Sequence, residues 1–354
     1  MWSTTRPRTR QLISSSIKKL LEEIERANRR WRLFRSNDTL LAAFSGGPDS
    51  SALLFLLSKL KRKHGLKIFA AHLDHGLDPV QAKKYRNACE KLARRLEVPL
   101  TIKSVRLREV ARRSKRGIEE AGRIARYAFL EEVAEKVNAK KIVTAHTLDD
   151  QAETVLMRIF RGSGVRGLCG IPFKRKLGKF ELIRPLLLSR KKELLKLLQE
   201  EKIPHCNDPM NKNLDFTRNK IRHRILPWIA REFNPQISST LAGLQGVAAE
   251  IVDYMDQDRK RAFRACRKKS PPGEVWFRAD PLNRLHPALQ GELILEAVCR
   301  LKGDTKRVAQ IHVREVLDLL ASKKGGSRLL LPGGIFIRKQ PKFLQISLKK
   351  DIIR

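Results

Sequence analysis

Leu40-Leu-Ala-Ala-Phe-Ser-Gly-Gly-Pro-Asp-Ser-Ser51 decides how the rest of this chain is to be understood. Its apolar start, Leu40 to Phe44, has the length and continuity of a buried strand in a parallel sheet. Ser45-Gly46-Gly47-Pro48 interrupts it, and Asp49-Ser50-Ser51 opens an apolar run from Ala52 to Leu57 that predicts a helix. Strand, glycine turn and helix N-terminus together suit phosphate. Glycines let backbone N–H groups converge on an anion, and the helix dipole favours negative charge there. The glycine spacing is shorter than in the Walker loop, and no lysine follows the second glycine. Taken alone, Gly-Gly-Pro fits an ordinary strand-to-helix turn equally well.

The hexapeptide Ser45-Gly46-Gly47-Pro48-Asp49-Ser50 resembles the signature loop of the PP-loop ATP pyrophosphatases. Those enzymes adenylate a substrate and release pyrophosphate. Composition points to the kind of substrate. Lys plus Arg number 75 against 37 Asp plus Glu, a net charge of +38. Heat adaptation would enrich both signs together, so the imbalance predicts a polyanionic partner, RNA or DNA. At 354 residues with 42% apolar side chains, the chain supports two domains with real cores. No apolar run is long enough to span a bilayer, so no membrane partner is expected. The five cysteines, Cys89, Cys169, Cys206, Cys266 and Cys299, form no C-x-x-C pair. That pattern argues against a zinc knuckle, an iron–sulfur cluster or a redox dithiol, and fits free thiols in a cytoplasmic protein. Met1 to Leu20 lacks acids and is rich in Arg, Ser and Thr, as organellar transit peptides are, but the whole chain is basic.

Read in order, residues 1–37 form a tail and a basic amphipathic helix over Ile17 to Phe34. Strands are expected at Leu66 to Leu73, Val98 to Val105 and Lys141 to Ala145. Helices are expected at Val80 to Leu96, Ile118 to Val137 and Asp149 to Arg161. Arg106 to Gly117 is expected to be a solvated basic loop, suited to a flap that contacts a nucleic-acid backbone. This alternation predicts an α/β doubly wound parallel sheet over 38–216, with its site at the carboxyl ends of the strands. From 217 to 354 helical patterns follow at Thr217 to Glu232, Pro235 to Arg264, Pro287 to Leu301 and Val308 to Ser322. Arg328 to Leu331 and Ile335 to Arg338, around Pro332-Gly333-Gly334, predict a closing β-hairpin, continued by Phe343 to Leu348. The second domain is therefore smaller, mainly helical, and ends in a hairpin.

Three clusters add chemistry. Asp74 and His75 lie at the end of the second strand, where they could meet a nucleotide or its metal, or form only a strand-end Asx turn. His146, Asp149, Asp150 and Glu153 lie at the end of the fourth strand, with Asp149 and Glu153 at i,i+4 and Asp150 and Glu153 at i,i+3. A capping box from Thr147 to Asp150 would account for part of this. Three carboxylates on one turn repel, however, and a cation such as Mg²⁺ or an amine substrate explains them better. Arg123 and Arg126 share one helix face and suit a carboxylate or phosphate, although isolated helix arginines are more often surface residues.

With these clusters in hand the resemblance narrows. The glycine loop, Leu73-Asp-His-Gly-Leu77, Arg123-x-x-Arg-Tyr127, His146-x-x-Asp-Asp-Gln-x-Glu-Thr154 and Arg161-Gly-Ser-Gly-Val-Arg-Gly-Leu168 follow the order seen in tRNA(Ile)-lysidine synthetases. So do Ile183-Arg-Pro-Leu-Leu187, Asn207-Asp-Pro209, Phe216-Thr-Arg-Asn-Lys-Ile-Arg222 and Leu331-Pro-Gly-Gly334. Two departures stand out: many members carry a further C-terminal domain, and Gly122 stands where alanine is usual. The resemblance implies ATP and Mg²⁺ as cofactors, and lysine and a tRNA(Ile) with a CAU anticodon as substrates. It leaves the oligomeric state open, a homodimer among its forms. It implies that Ser45, Gly46, Gly47, Pro48, Asp49 and Ser50 bind pyrophosphate, with Asp49 also at the metal and Asp74 and His75 near the nucleotide. Asp150 and Glu153 would hold the α-ammonium of lysine, and Arg126, with Arg123, its carboxylate or the activated base. His146 and Asp149 would position groups or move protons, and Arg218, Asn219 and Arg222 would bind the tRNA backbone. Two alternatives stay open here: a 2-thiocytidine synthetase, which normally needs paired cysteines, and a non-catalytic RNA-binding protein.

Overall fold

The computed structural model describes residues 15–76, 78–115, 117–206, 214–322 and 326–348. The tail expected before Ser15, the motif residue Leu77 and Asn207-Asp208-Pro209 lie outside the described residues. The chain forms two compact units, 1–248 and 249–354.

In the first unit, α1 (Ser15–Trp31) leads into β1 (Thr39–Ala43), α2 (Pro48–His64), β2 (Lys67–Asp74), α3 (Pro79–Arg95) and β3 (Leu100–Ser104). Then come α4 (Leu107–Ser114), α5 (Ile118–Lys136), β4 (Lys141–Val143), α6 (Leu148–Phe160) and α7 (Val165–Leu168). They are followed by β5 (Lys174–Leu177), β6 (Phe180–Ile183) and α8 (Lys191–Glu200). The sheet order is β3-β2-β1-β4-β6-β5, parallel throughout except for β5, which runs antiparallel to β6. Both faces are covered, as a parallel sheet requires. Strand alternation divides the side chains between them. Leu40, Ala42, Ile68 and Ala70 enter one core with α1, α2, α3 and α8, whereas Leu41, Ala71, Ile142 and Leu182 meet Phe129, Leu130 and Val133 of α5. The strand order reverses between β1 and β4. In open α/β sheets the ligand crevice forms at such a point, beyond the carboxyl ends of the strands.

One expectation is corrected here, and two strands are added. The basic stretch Arg106 to Gly117 is largely helix α4, because Leu107 and Ala111 are one turn apart and bury against Ala121 of α5. β5 and β6 are additions that the sequence patterns do not predict; they turn at Gly178, whose φ of +54° suits glycine.

After the sheet come α9 (Thr217–Lys220), a π-helical turn over Ile221–Ile225, α10 (Leu226–Glu232) and α11 (Ile237–Cys266). Ile221, Leu226 and Leu241 pack against Ala152, Val155 and Leu156 of α6, so the stretch from 217 to 248 belongs with the sheet rather than with the second unit. The sequence-based boundary at Phe216 therefore lies upstream of the division, which falls within α11.

The second unit contains β7 (Arg267–Lys268), β8 (Glu274–Arg278), α12 (Ala279–Asn283), α13 (Pro287–Lys302) and α14 (Gln310–Ala321). The closing strands are β9 (Arg328–Leu331), β10 (Ile335–Lys339) and β11 (Phe343–Leu348). They pair antiparallel as expected, and β8 extends them into a sheet ordered β7-β8-β11-β10-β9. Glu274-Val-Trp-Phe-Arg278 buries Val275 and Phe277, a period-two pattern legible in hindsight.

Candidate active site

The glycine loop closes tightly on itself. Gly46 has φ +81°, and a Cβ there would lie 3.0 Å from Cys89 Sγ and 3.1 Å from the Tyr85 ring. Its carbonyl accepts from the Cys206 N–H at 2.9 Å. Gly47 is the N-cap of α2, Pro48 occupies its first turn, and no side chain among the described residues caps the helix. Ser50 Oγ donates to the Gly47 carbonyl at 3.0 Å and lies 3.1 Å from Ser45 Oγ. The N-terminus of α2 is thus left to an outside acceptor, the arrangement that receives phosphate. Cys89 serves packing rather than chemistry, since burial pushes its thiol up to about 12.

Asp49 stands on this first turn. One oxygen, Oδ2, lies 3.5 Å from Lys191 Nζ. The other, Oδ1, is buried and has no hydrogen-bond partner among the described residues. Burial raises the carboxyl to about 6 against the pull of Lys191, and Asp150 adds to the rise. A buried carboxylate oxygen without a donor, beside a phosphate loop, fits a cation.

Across the β1–β4 junction, Thr147 caps α6. Its Oγ1 accepts from the Asp150 N–H at 3.3 Å, and Asp150 Oδ2 accepts from the Thr147 N–H at 2.9 Å. The capping box is real, but it occupies one oxygen. Asp150 Oδ1 accepts from Arg218 Nη2 at 2.9 Å and Arg222 Nη2 at 3.2 Å. Glu153 accepts from Arg218 Nε at 2.6 Å and from Arg222 Nε and Nη2 at 2.5 and 3.0 Å. Two carboxylates and two guanidiniums form one neutral quartet. Burial would raise the Asp150 carboxyl, yet Arg218, His146 and Arg222 hold it below its ordinary value. Arg218 and Arg222, expected on the tRNA backbone, spend their Nε and Nη2 donors on these acids, and Asn219 is buried.

Asp149 faces elsewhere. Its Oδ2 accepts the Lys191 N–H at 2.7 Å, at the first residue of α8. Lys191 therefore meets Asp149 through its backbone and Asp49 through its ammonium, linking the N-termini of α2, α6 and α8. Lys191 belongs to none of the sequence clusters above. The available signal was a Lys191-Lys192 pair opening a helix, where the dipole disfavours cations unless an acid stands nearby.

His146 Nδ1 lies 3.1 Å from Thr144 Oγ1. Burial lowers the ring to about 4 against Asp150, with Arg184, Arg218 and Arg126 assisting. Arg184 is 4% exposed, and its Nη1 donates to the Pro172 carbonyl at 2.6 Å. Arg126 is exposed, with Nη2 3.4 Å from His75 Nε2, while Arg123 lies over the Tyr127 ring. Asp74 forms the Asx turn: Oδ1 accepts from Gly76 N–H at 2.9 Å and Oδ2 from Ser104 Oγ at 3.1 Å. At Gly122 a Cβ would lie 3.1 Å from Leu107 Cδ2, so glycine lets α5 approach α4 closely.

Comparison with known proteins adds relatives. A family model described as a PP-loop domain matches residues 11–229. The tRNA(Ile)-lysidine synthase of Clostridioides difficile is 30% identical over 91% of this chain and 68% of its own length. That of Caldanaerobacter subterraneus is 32% identical over 94% of this chain and 70% of its own length. That of Thermosipho africanus is 42% identical over 62% of this chain and 49% of its own length. Among solved structures, the U34-tRNA thiolase NcsA from Methanococcus maripaludis superposes with a TM-score of 0.56 at 19% identity. It covers 66% of this chain and 80% of its own, a likeness of fold.

Proposed function

Because this chain belongs to the tRNA(Ile)-lysidine synthase family and carries its PP-loop domain, we propose that it joins lysine to C2 of the wobble cytidine of a tRNA(Ile) with a CAU anticodon. Cytidine O2 attacks the α-phosphorus of ATP and pyrophosphate leaves. The lysine ε-amine then attacks C2, the C2–O2 bond breaks, AMP departs with that oxygen, and the nitrogen loses a proton. Activation is needed because the O2 oxygen is a poor leaving group and AMP a good one. The 2-thiocytidine alternative is not favoured by the relatives.

The carboxylate–arginine quartet beside the glycine loop carries the lysine assignment. An α-amino acid brings one ammonium and one carboxylate, and Asp150 and Glu153 with Arg218 and Arg222 offer partners for both. Being already paired, these side chains are oriented before the substrate arrives. The N-terminus of α2, which no described side chain caps, suits the departing pyrophosphate together with Ser45 and Ser50. Asp49 Oδ1 would help hold Mg²⁺ with the phosphates, and the ion would offset their charge. Exposed Arg126, 3.4 Å from His75, would meet the activated base or the lysine carboxylate. An imidazole ionising near pH 4 is a weak proton acceptor at neutral pH, which favours positioning over proton transfer for His146.

The test is incubation with CAU-anticodon tRNA(Ile), ATP-Mg²⁺ and labelled lysine, followed by nucleoside analysis. Label in a cytidine-derived nucleoside, dependent on both ATP and tRNA, is expected. ATP consumption without lysine in the product would refute the reading.

A further inference from the structure

The second unit holds a cavity of about 230 Å³ that the chemistry above does not use. The end of α11 supplies Arg259, Lys260 and Arg264, Arg267 follows it, and α13 supplies Arg300 and the one acid, Glu296. Among the described residues that line it, five cations face one carboxylate.

Part of this has an ordinary cause. Arg264 and Arg300 sit in the last turns of their helices, where the dipole welcomes positive charge. That does not explain why the two helix ends converge on one hollow, nor how their arginines are fixed. Glu296 accepts from Arg259 Nη1 and, at 2.8 Å, from Arg300 Nε, while Asp256 accepts from Arg259 Nε at 3.1 Å. The Arg300 guanidinium also lies 4.0 Å from the centre of the buried Phe263 ring. A carboxylate and an aromatic face thus hold two guanidinium forks beside each other, and Lys260, Arg264 and Arg267 add exposed charge around them. Without an anion the group repels itself. With one, donors already held in place meet it at little entropic cost.

We infer that this cavity is a phosphate site for the RNA backbone, deepening the proposed function by adding an RNA contact outside the catalytic unit. The volume is below that of ordinary small-molecule pockets, which favours a backbone phosphate over a whole nucleotide. The net charge of +38 and the family's tRNA substrate name RNA as the source. The inference rests on that reading of the substrate, but its test needs only binding.

Arg264→Ala/Arg267→Ala, compared with the wild-type protein, is the variant to measure, since both residues are exposed. The tRNA dissociation constant should rise roughly 5- to 10-fold near physiological salt, and the slope of log K against log salt should become shallower by about 1. kcat at saturating tRNA and the lysine KM should stay unchanged. Arg284→Ala/Arg314→Ala removes two exposed arginines of the same unit that do not line the cavity, and should change affinity less than about twofold. Equal losses in the two double variants would reduce the effect to general charge and overturn the site. So would inorganic phosphate raising the melting temperature of the wild type but not of Arg264→Ala/Arg267→Ala while both bind tRNA equally, because the cavity would then serve a free anion. A wild-type protein that binds tRNA but incorporates no lysine would refute the activity and leave this comparison intact.

Discussion

At Glu153 a carboxylate only 2% exposed receives the Nε donors of both Arg218 and Arg222. Glu153→Gln removes that charge and leaves two partly buried guanidiniums short of an acid, a loss on the order of 3–5 kcal/mol. Adding Arg222→Met should restore most of the stability, since the remaining cation still has Asp150. Neither variant should use lysine well. We expect the lysine KM to rise about 30-fold or more in the double variant, measured beside its thermal melt. A double variant with recovered melting and wild-type lysine KM would show the quartet to be only structural. His146 offers a pH readout. Its ring ionises near 4 in the folded chain and near 6.5 when free. The unfolded chain therefore binds more protons between those values, so stability is full above about 6.5 and is lost as pH falls toward 4, by no more than about 3 kcal/mol. Denaturant melts of His146→Gln should lack this component, and an unchanged profile would mean that the imidazole is not held neutral.

Among elements, α8 depends on an acid from another helix. Asp149 accepts the first N–H of α8, whose own N-cap, Arg190, has no side-chain acceptor to offer. Asp149→Ala should cost about 1 kcal/mol, while Asp149→Asn, which caps nearly as well, should keep both stability and turnover. A large drop in kcat for the Asn variant would instead make the carboxylate chemical. The elements themselves were largely legible. Leu40 to Phe44 and Leu66 to Leu73 predict strands because their apolar runs are short and bounded by turns, and β1 and β2 lie there. Lys174–Leu177 escaped because a basic edge strand carries little apolar signal, and Phe180–Ile183 because four residues are too short a run to show a period. α4 was hidden by its arginines, its buried face amounting to Leu107 and Ala111. The glycine loop and the acids of α6 were visible as local patterns, as was the Asx turn at Asp74. The partners of those acids were not, because no spacing in the chain connects Glu153 with Arg218 and Arg222, more than sixty residues away.

For the whole molecule, Lys191 has a consequence that can be measured at a distance from the chemistry. It touches the first turn after the glycine loop through Asp49 and the helix bearing the acid–arginine quartet through Asp149. An ion or phosphate drawing on Asp49 alters what holds the Lys191 ammonium, and so the footing of α6. On the proposed function, occupancy of the nucleotide and lysine sites is then linked in a thermodynamic cycle. If a non-hydrolysable ATP analogue tightens lysine binding by some factor, lysine must tighten binding of the analogue by the same factor, typically 5- to 150-fold (about 1–3 kcal/mol) in linked sites. Lys191→Met should bring both factors down together toward one while each ligand still binds alone. Calorimetric titration of either ligand with the other absent and then saturating measures it, and a factor undiminished in Lys191→Met would show that the two sites communicate by another route.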